Sequence, residues 1–307
     1  MSDAAYIAGD WGTSNLRLFL CASDDRVLDT ASGPGAADSR GRFAAVFDGL
    51  TAAWCEKHGP LPAVLCGMAG SAFGWLEAPY LQCPEDVADI ASSLASPRAG
   101  VHIIPGMRCS NPLGAPDVLR GEETQLLGAL TQTPALAAGR HLVCLPGTHT
   151  KWVSLLDGVV LDFLTVPTGE LFRMLCDHSV LVRDPATPVE HRSAEFERGL
   201  GEAVRHGSVS VLHRLFQGRS LRIDKQLTPE GAPSWMSGLL IGADVGGALP
   251  LFGTRGTGSG VYVVGAPALC DLYRAALARH GRRAECIAGD AASLAGLARV
   301  RTIIAGN

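Results

Sequence analysis

None of the nine cysteines, which run from Cys21 to Cys286, stands in a Cys-x-x-Cys pair, and their number is odd. That argues against a zinc ribbon or a disulfide framework and for small core thiols in a reducing compartment. The nine histidines contain no His-Glu-x-x-His pair, so a zincin-type metal site is excluded, and His178 and His213 read as surface or capping residues. No Gly-x-x-x-x-Gly-Lys-Ser/Thr run occurs, which removes the P-loop NTPases. Gly256-Thr257-Gly258-Ser259-Gly260 precedes a strand-like segment instead of following one, so it is not a dinucleotide fingerprint. Lysine is scarce, at three residues against 23 arginines, and a net charge of −4 offers no general field for nucleic acid or an anionic membrane. No basic N-terminal region leads into an apolar stretch, and no apolar run reaches the roughly 18 residues that span a bilayer. The expectation is a cytoplasmic protein with neither nucleic acid nor membrane as a partner.

With 307 residues, 47% hydrophobic and 18% charged, the chain has the composition of an ordered globular protein large enough for two domains. Its first half reads as an antiparallel meander: Tyr6 to Gly9, Leu16 to Cys21 and Arg26 to Thr30 are strand-like, with a turn at Asp24-Asp25. A helix over Phe43 to Lys57 and a buried strand over Ala63 to Cys66 follow. The second half repeats the theme. His141 to Leu145, Lys151 to Leu155 and Val159 to Val166 read as strands, the last two joined by an Asp157-Gly158 hairpin turn. Helical patterns follow over 195–206, 209–216 and 234–249, then a strand over 261–264, a helix over 268–280, an apolar segment near 284–288 and a last helix over 291–301. Thr131 to Gly139, small residues around Pro134, marks the boundary between domains 1–134 and 135–307.

Each meander carries a Gly-Thr turn after its first strand: Asp10-Trp11-Gly12-Thr13-Ser14-Asn15 and Pro146-Gly147-Thr148-His149-Thr150-Lys151. A glycine free to take positive φ beside a threonine hydroxyl can aim backbone N–H groups and a hydroxyl at an anion. Two such turns, one per half, suggest a phosphate gripped from both sides.

The order of segments resembles the actin and hexokinase superfamily of sugar kinases. The two Gly-Thr turns match its phosphate loops, and Gly67-Met68-Ala69-Gly70-Ser71 its first connecting segment. Val263-Val264-Gly265-Ala266-Pro267 matches its adenosine segment, and Gly289-Asp290-Ala291-Ala292 its second connecting segment. Within it, the stretches 10–17, 67–75, 120–125, 146–152 and 168–171 are similar to the 2-dehydro-3-deoxygalactonokinase family. The resemblance implies an α/β fold of two duplicated ribonuclease-H-like domains with an interdomain cleft. It further implies transfer of the ATP γ-phosphate to the 6-hydroxyl of 2-dehydro-3-deoxy-D-galactonate in galactonate catabolism, with Mg2+ required. Partners would be a small sugar acid and ATP, and a homodimer stays open.

Phosphoryl transfer needs a metal, charge stabilisation and a base. Asp10, at the end of a strand beside the first loop, is placed to hold Mg2+ through water, or simply caps the turn. Gly12, Thr13, Ser14 and Asn15, with Gly147 and Thr148, would bind phosphate oxygens. Lys151 either reaches a phosphate as a point charge or sits on an exposed strand face. Gly265 and Ala266 fall where the adenosine would lie. Glu122 and Glu123 open a helix ahead of the second phosphate loop, where related carbohydrate kinases carry a catalytic aspartate. Glu122 is preferred as base over Glu123, with Asp162 and Glu170 in reserve, and a dipole-favouring helix start is the plain alternative. For the substrate, Ser71, Trp75, Arg120, His149 and Glu170 are candidates. Trp11 and Asn111 are secondary ones, and Arg17, Arg108, Arg120 or Arg173 could clamp its carboxylate. Two other readings remain: a kinase for another 2-keto-3-deoxy acid or sugar, and a non-catalytic ATP-binding regulator.

Overall fold

The computed structural model describes residues 4–182, 192–252 and 260–306, so Gly256 to Ser259 lie outside the described residues. The chain divides into two compact units: Met1–Ala138 with Leu156–Asp162 and Gly289–Asn307, and Gly139–Leu155 with Phe163–Ala288.

In the first unit β1 (Ala4–Trp11), β2 (Asn15–Ala22) and β3 (Val27–Pro34) form the antiparallel meander. In α1 (Phe43–His58) the buried residues Phe43, Phe47, Thr51 and Trp54 recur at three- and four-residue steps, which makes one apolar stripe. The helix stops at Gly59, where φ is 81°. All five residues of β4 (Ala63–Gly67) are buried, as suits a strand pairing in parallel with β1 inside the sheet. Six short strands fill the stretch where sequence patterning gives no signal: β5 (Tyr80–Gln82), β6 (Glu85–Asp86), β7 (Ala95–Arg98), β8 (Val101–Ile103), β9 (Gly106–Ser110) and β10 (Pro116–Leu119). The main sheet runs β3-β2-β1-β4-β8-β7, and β10-β9-β5 make a separate three-stranded sheet. Then α2 (Glu122–Gln132) begins behind Gly121, whose φ is 104°.

The second unit opens with β11 (Arg140–Leu145), β12 (Thr150–Leu156) and β13 (Val159–Val166). Asp157 and Gly158 have φ of 51° and 84°, the pair of positive values that a two-residue hairpin turn requires. There follow α3 (Thr168–His178), α4 (Ala194–Arg205), α5 (Gln217–Ile223), α6 (Ala232–Phe252), β14 (Val261–Gly265), α7 (Pro267–Arg279) and β15 (Ala284–Ala288). The strand order β15-β14-β11-β12-β13 repeats β8-β4-β1-β2-β3 position for position. Val159 and Val160, at the start of β13, belong to the first unit and pair there with Asp86 and Glu85 of β6.

The last helix, α8 (Gly289–Gly306), packs in the first unit against α2, although the sequence reading placed residues 289–307 with the C-terminal domain. Gly128 of α2 and Gly296 of α8 allow that approach: a Cβ on either would fall 1.8–2.0 Å from a carbonyl oxygen of the facing helix. The helix expected over 209–216 is instead a 3₁₀ turn, Val211–His213, followed by α5. Leu212 and Phe216 are 73% and 59% exposed, so no core face anchors a longer helix there. Contrary to the absence of a membrane-length apolar run read from the sequence, α6 is long and apolar enough to cross a bilayer by length and composition. Two-thirds of it is buried inside the second unit, where it packs against α4 as a core helix.

Candidate active site

The first loop joins β1 to β2, and its backbone carbonyls are held from one side. Gly35, Ala36 and Ala37 donate their N–H groups to the carbonyls of Ser14, Gly12 and Thr13 at 3.0–3.2 Å, while Gly12 N–H closes the turn on Asn15 O. Gly35 sits so close that a Cβ would lie 2.3 Å from Thr13 O. The side chains of Thr13, Ser14 and Asn15 are exposed. Gly12 does not take positive φ, and neither does Gly147, contrary to expectation. At Gly12 the constraint is room, since a Cβ would stand 3.3 Å from Asn15 O; at Gly147 the face is open, with no non-neighbouring atom of the described residues within 4 Å of a Cβ.

Asp10 ends β1 with one oxygen, Oδ2, accepting from Arg17 at 2.8 Å; the same guanidinium reaches Asp290 Oδ1, at the start of α8, at 2.6 Å. Burial works against the Arg17 charge, but its bonds to Asp10 and Asp290 outweigh it and hold its pKa above the ordinary arginine value. Arg17 is thereby engaged with carboxylates of the protein itself. Among the described residues no three His, Cys, Asp or Glu gather into a direct metal site. One carboxylate at a loop with exposed hydroxyls fits Mg2+, which keeps several waters and takes its other oxygens from phosphates.

At the start of α2 the two glutamates separate. Glu122 Oε2 accepts from Arg120 N–H at 3.0 Å and the residue is partly exposed. Glu123 is fully enclosed; its Oε2 accepts from Gly121 N–H at 2.6 Å and its Oε1 from the Thr124 hydroxyl at 3.0 Å. Burial, followed by the neighbouring Glu122, pushes its pKa up to about 8, against which the hydrogen bonds work. A carboxyl without solvent exposure cannot touch a substrate hydroxyl, so Glu123 belongs to the helix start.

Several expected substrate contacts have protein partners instead. The Arg120 guanidinium stacks on Tyr80, 4.2 Å from the ring centroid, and donates to Ala78 O at 2.8 Å, which makes it a brace for 78–80 instead of a carboxylate clamp. Trp75 packs half-buried on Trp11 and Phe47 with Arg98 over its ring, and Trp11 is wholly core. Asn111 Oδ1 accepts from Leu113 and Ala115 N–H groups, a turn role. Ser71 is buried, and among the described residues its Oγ has no partner.

In the second unit the loop after β11 is closed by the head of α3. Glu170 N–H donates to Thr148 O at 2.8 Å, His149 Nε2 meets Glu170 Oε2 at 2.7 Å, and a Cβ on Gly169 would lie 2.3 Å from Gly147 O. Thr148, His149 and Glu170 face solvent. Lys151 is 5% exposed on β12, so it does not occupy an exposed strand face. A buried hub lies behind the loop. Asp244 of α6 accepts from Trp152 Nε1 at 2.8 Å and from the Thr168 and Tyr273 hydroxyls at 2.7 Å each, and Tyr273 also meets Thr150 Oγ1 at 2.7 Å. Burial raises the Asp244 pKa, and those three hydrogen bonds oppose the rise. Beside Gly147 opens a mostly apolar pocket of about 120 Å³, lined by Phe172, Leu240, Ile241, Leu269 and Leu272 with Thr168, Ser237 and Tyr273. Gly265 leads into α7 at its Ala266 cap, close to Pro146: a Cβ there would stand 3.2 Å from the proline ring. The sequence reading missed Gly35, Gly169 as a loop clamp, Asp244 and Ser237. A signal existed for Asp244, the one charged residue in the otherwise apolar α6.

Residues 10–300 match a family model described as 2-keto-3-deoxy-galactonokinase. The chain is 38% identical to the "Probable 2-dehydro-3-deoxygalactonokinase DgoK1" of Rhizobium meliloti (strain 1021), over 97% of each chain. It is 34% identical to the 2-dehydro-3-deoxygalactonokinase of Escherichia coli (strain K12), over 98% of this chain and 99% of that one. A crystal structure from Sinorhizobium meliloti, assigned as a candidate 2-dehydro-3-deoxygalactonokinase, superposes with a TM-score of 0.85 at 36% identity, covering 97% of this chain and 96% of that one. The activator of 2-hydroxyisocaproyl-CoA dehydratase from Clostridium difficile, solved with bound ADPNP, reaches a TM-score of 0.54 at 10% identity over 98% and 97%, a likeness of fold alone. The fold is of the actin and hexokinase type, with a ribonuclease-H-like sheet in each unit.

Proposed function

The chain belongs to the 2-keto-3-deoxy-galactonokinase family, and on that premise we propose that it transfers the γ-phosphoryl group of ATP to the 6-hydroxyl of 2-dehydro-3-deoxy-D-galactonate. The geometric observation that carries the reading is a Gly-Thr loop, braced from behind by Asp244, with an apolar pocket opening beside it. An apolar cavity next to exposed N–H and hydroxyl donors suits a nucleotide: flat base inside, phosphates at the loop.

Gly147 and Thr148 bind phosphate oxygens from the second unit's loop. Gly12, Thr13, Ser14 and Asn15 do so from the first, where the exposed hydroxyls are free to turn toward an anion. Gly265 and Ala266 set the head of α7 beside the nucleoside. Glu122, the partly exposed member of the glutamate pair, takes the proton of the attacking hydroxyl. His149 and Glu170, locked together at the rim of the second loop, orient the sugar acid. Asp10 would hold Mg2+ through water; when bound, that ion neutralises charge on the phosphates. The enzyme works in the cytoplasm.

The test is ADP release with magnesium-ATP over a panel of 2-dehydro-3-deoxygalactonate, its gluconate epimer, galactonate and simple hexoses. Selective turnover of the first is the expected result. Selective turnover of another member replaces the substrate, and silence across the panel with ATP still bound replaces the kinase by a nucleotide-binding regulator.

A further inference from the structure

Five apolar side chains from three helices make the walls of the pocket beside Gly147: Phe172 of α3, Leu240 and Ile241 of α6, and Leu269 and Leu272 of α7. Among the described residues three side-chain hydroxyls line it, on Thr168, Ser237 and Tyr273. Two of these are already committed, because Thr168 Oγ1 and Tyr273 OH both donate to Asp244 Oδ2 at 2.7 Å. Among the described residues no hydrogen bond engages the third, Ser237, which lies 6% exposed on α6.

Adenine and guanine have the same ring outline and opposite polarity at the six-position, an amino donor in one and a carbonyl acceptor in the other. Telling them apart requires donors and acceptors fixed in direction. A serine hydroxyl rotates, donates and accepts, so it satisfies either edge. Sites that hydrogen-bond a substrate group reject an analogue lacking it by about 10⁴-fold or more, whereas apolar pockets discriminate by about 10–200-fold and chiefly by size. This pocket is of the second kind.

Building on the nucleotide reading, we propose that the pocket selects a purine ring by apolar contact and does not distinguish adenine from guanine or hypoxanthine, so that GTP and ITP serve as phosphoryl donors alongside ATP. The chemistry is unchanged: the bond from the γ-phosphorus to the β,γ-bridging oxygen breaks and a bond to the sugar-acid 6-oxygen forms. The hydroxyl proton passes to the base, and GDP or IDP leaves.

The experiment is kcat/KM for ATP, GTP, ITP, CTP and UTP at saturating 2-dehydro-3-deoxygalactonate, paired with calorimetric Kd values for ADP and GDP. ATP, GTP and ITP are expected to agree within about tenfold, with CTP and UTP about 10–100-fold poorer, and ADP and GDP to bind with Kd values within about tenfold. Ser237→Ala should weaken all purine donors by up to about tenfold while leaving the ATP to GTP ratio where it was. Rejection of GTP by about 10³-fold or more, with ADP bound and GDP not, overturns the inference and leaves the kinase standing. So does a Ser237→Ala variant whose ATP to GTP ratio moves by about tenfold. No turnover of any triphosphate, with neither diphosphate bound, brings down the kinase reading and this inference together.

Discussion

Gly35, just after β3, closes on Thr13 in the first unit; in the second, Gly169, shortly after β13, closes on Gly147, and in both a Cβ would lie 2.3 Å from the loop carbonyl. Each meander thus folds the end of its third strand back onto its own Gly-Thr turn. Behind that shared backbone device the side chains differ. The first loop has a shared guanidinium, Arg17 between Asp10 and Asp290, with 39% of the arginine side chain and 76% of that of Asp290 exposed. The second has Asp244, buried and saturated by three neutral donors. Exposed charges respond to salt and to any arriving cation, whereas a buried hub does not. The half proposed to meet the metal is braced by charge, and the half proposed to hold the purine ring is braced by hydrogen bonds from neutral donors.

The hub is where the contrast breaks most visibly. Asp244→Ala leaves the Trp152 indole N–H and the Thr168 hydroxyl buried without an acceptor, at about 1–3 kcal/mol each, so a loss of about 3–5 kcal/mol in denaturant unfolding is expected. Asp244→Asn, which retains one acceptor oxygen, should lose less, and nucleotide affinity should fall with both. An alanine variant within about 1 kcal/mol of the parent would mean that the hub is not a brace.

Much of this frame was legible locally. Strands β1 to β4 and β11 to β14 announce themselves by apolar runs between turn residues, and Asp157-Gly158 specifies its hairpin outright. Strands of two to five residues between 80 and 119 hold too few side chains for a period, and β5 pairs with β9 instead of with its neighbour in sequence. At the site the loops were readable because a turn is a local object. Asp244 was not, since its partners Trp152, Thr168 and Tyr273 lie 92, 76 and 29 residues away. Arg17 and Arg120 looked like free cations for a substrate until the fold supplied their partners.

The buried acids of the two units sharpen the comparison further. Glu123 is the first unit's enclosed carboxyl, with two donors where Asp244 has three. Its folded pKa, about 8, lies above the unfolded glutamate value, so the native state retains a proton that the unfolded chain has released. The stability it confers is complete below the ordinary glutamate range and is lost as pH rises through about 8. Glu123→Gln should therefore gain on the parent steadily from about pH 5 to about pH 9 in thermal melts, with kcat little changed. Glu122→Gln, one residue away, should lower kcat by about 10²- to 10⁴-fold at constant melting temperature. An exchange of those two phenotypes would reverse the assignment of the base.

The glycine clamps probe the shared device. An alanine Cβ at 35 or 169 must push a loop carbonyl aside, and a displacement of that kind in a positioning loop costs up to about 10²-fold in kcat/KM. Gly169→Ala should act chiefly through KM for ATP. Gly35→Ala should act through both substrates, because the loop it moves also ends at Asp10. Equal effects of the two on ATP alone would erase the difference between the loops.

The smallest effect lies in the exposed ion pairs. Asp290→Asn removes one of two carboxylates that share Arg17, and at this exposure the stability change should stay below about 1 kcal/mol. Its consequence for Asp10 is more specific. With Asp290 gone the guanidinium is left to Asp10 alone, which draws more of that carboxylate's charge away from a cation, so the Mg2+ concentration for half-maximal rate should rise a few-fold. Calorimetric titration of Mn2+ into the ADP-bound protein gives the same comparison without turnover. Added salt should shrink the gap between parent and variant, since screening weakens the Arg17 contacts in the parent. The corresponding salt series on Asp244→Asn should be flat. Parallel salt responses in both would show that the two loops are braced alike.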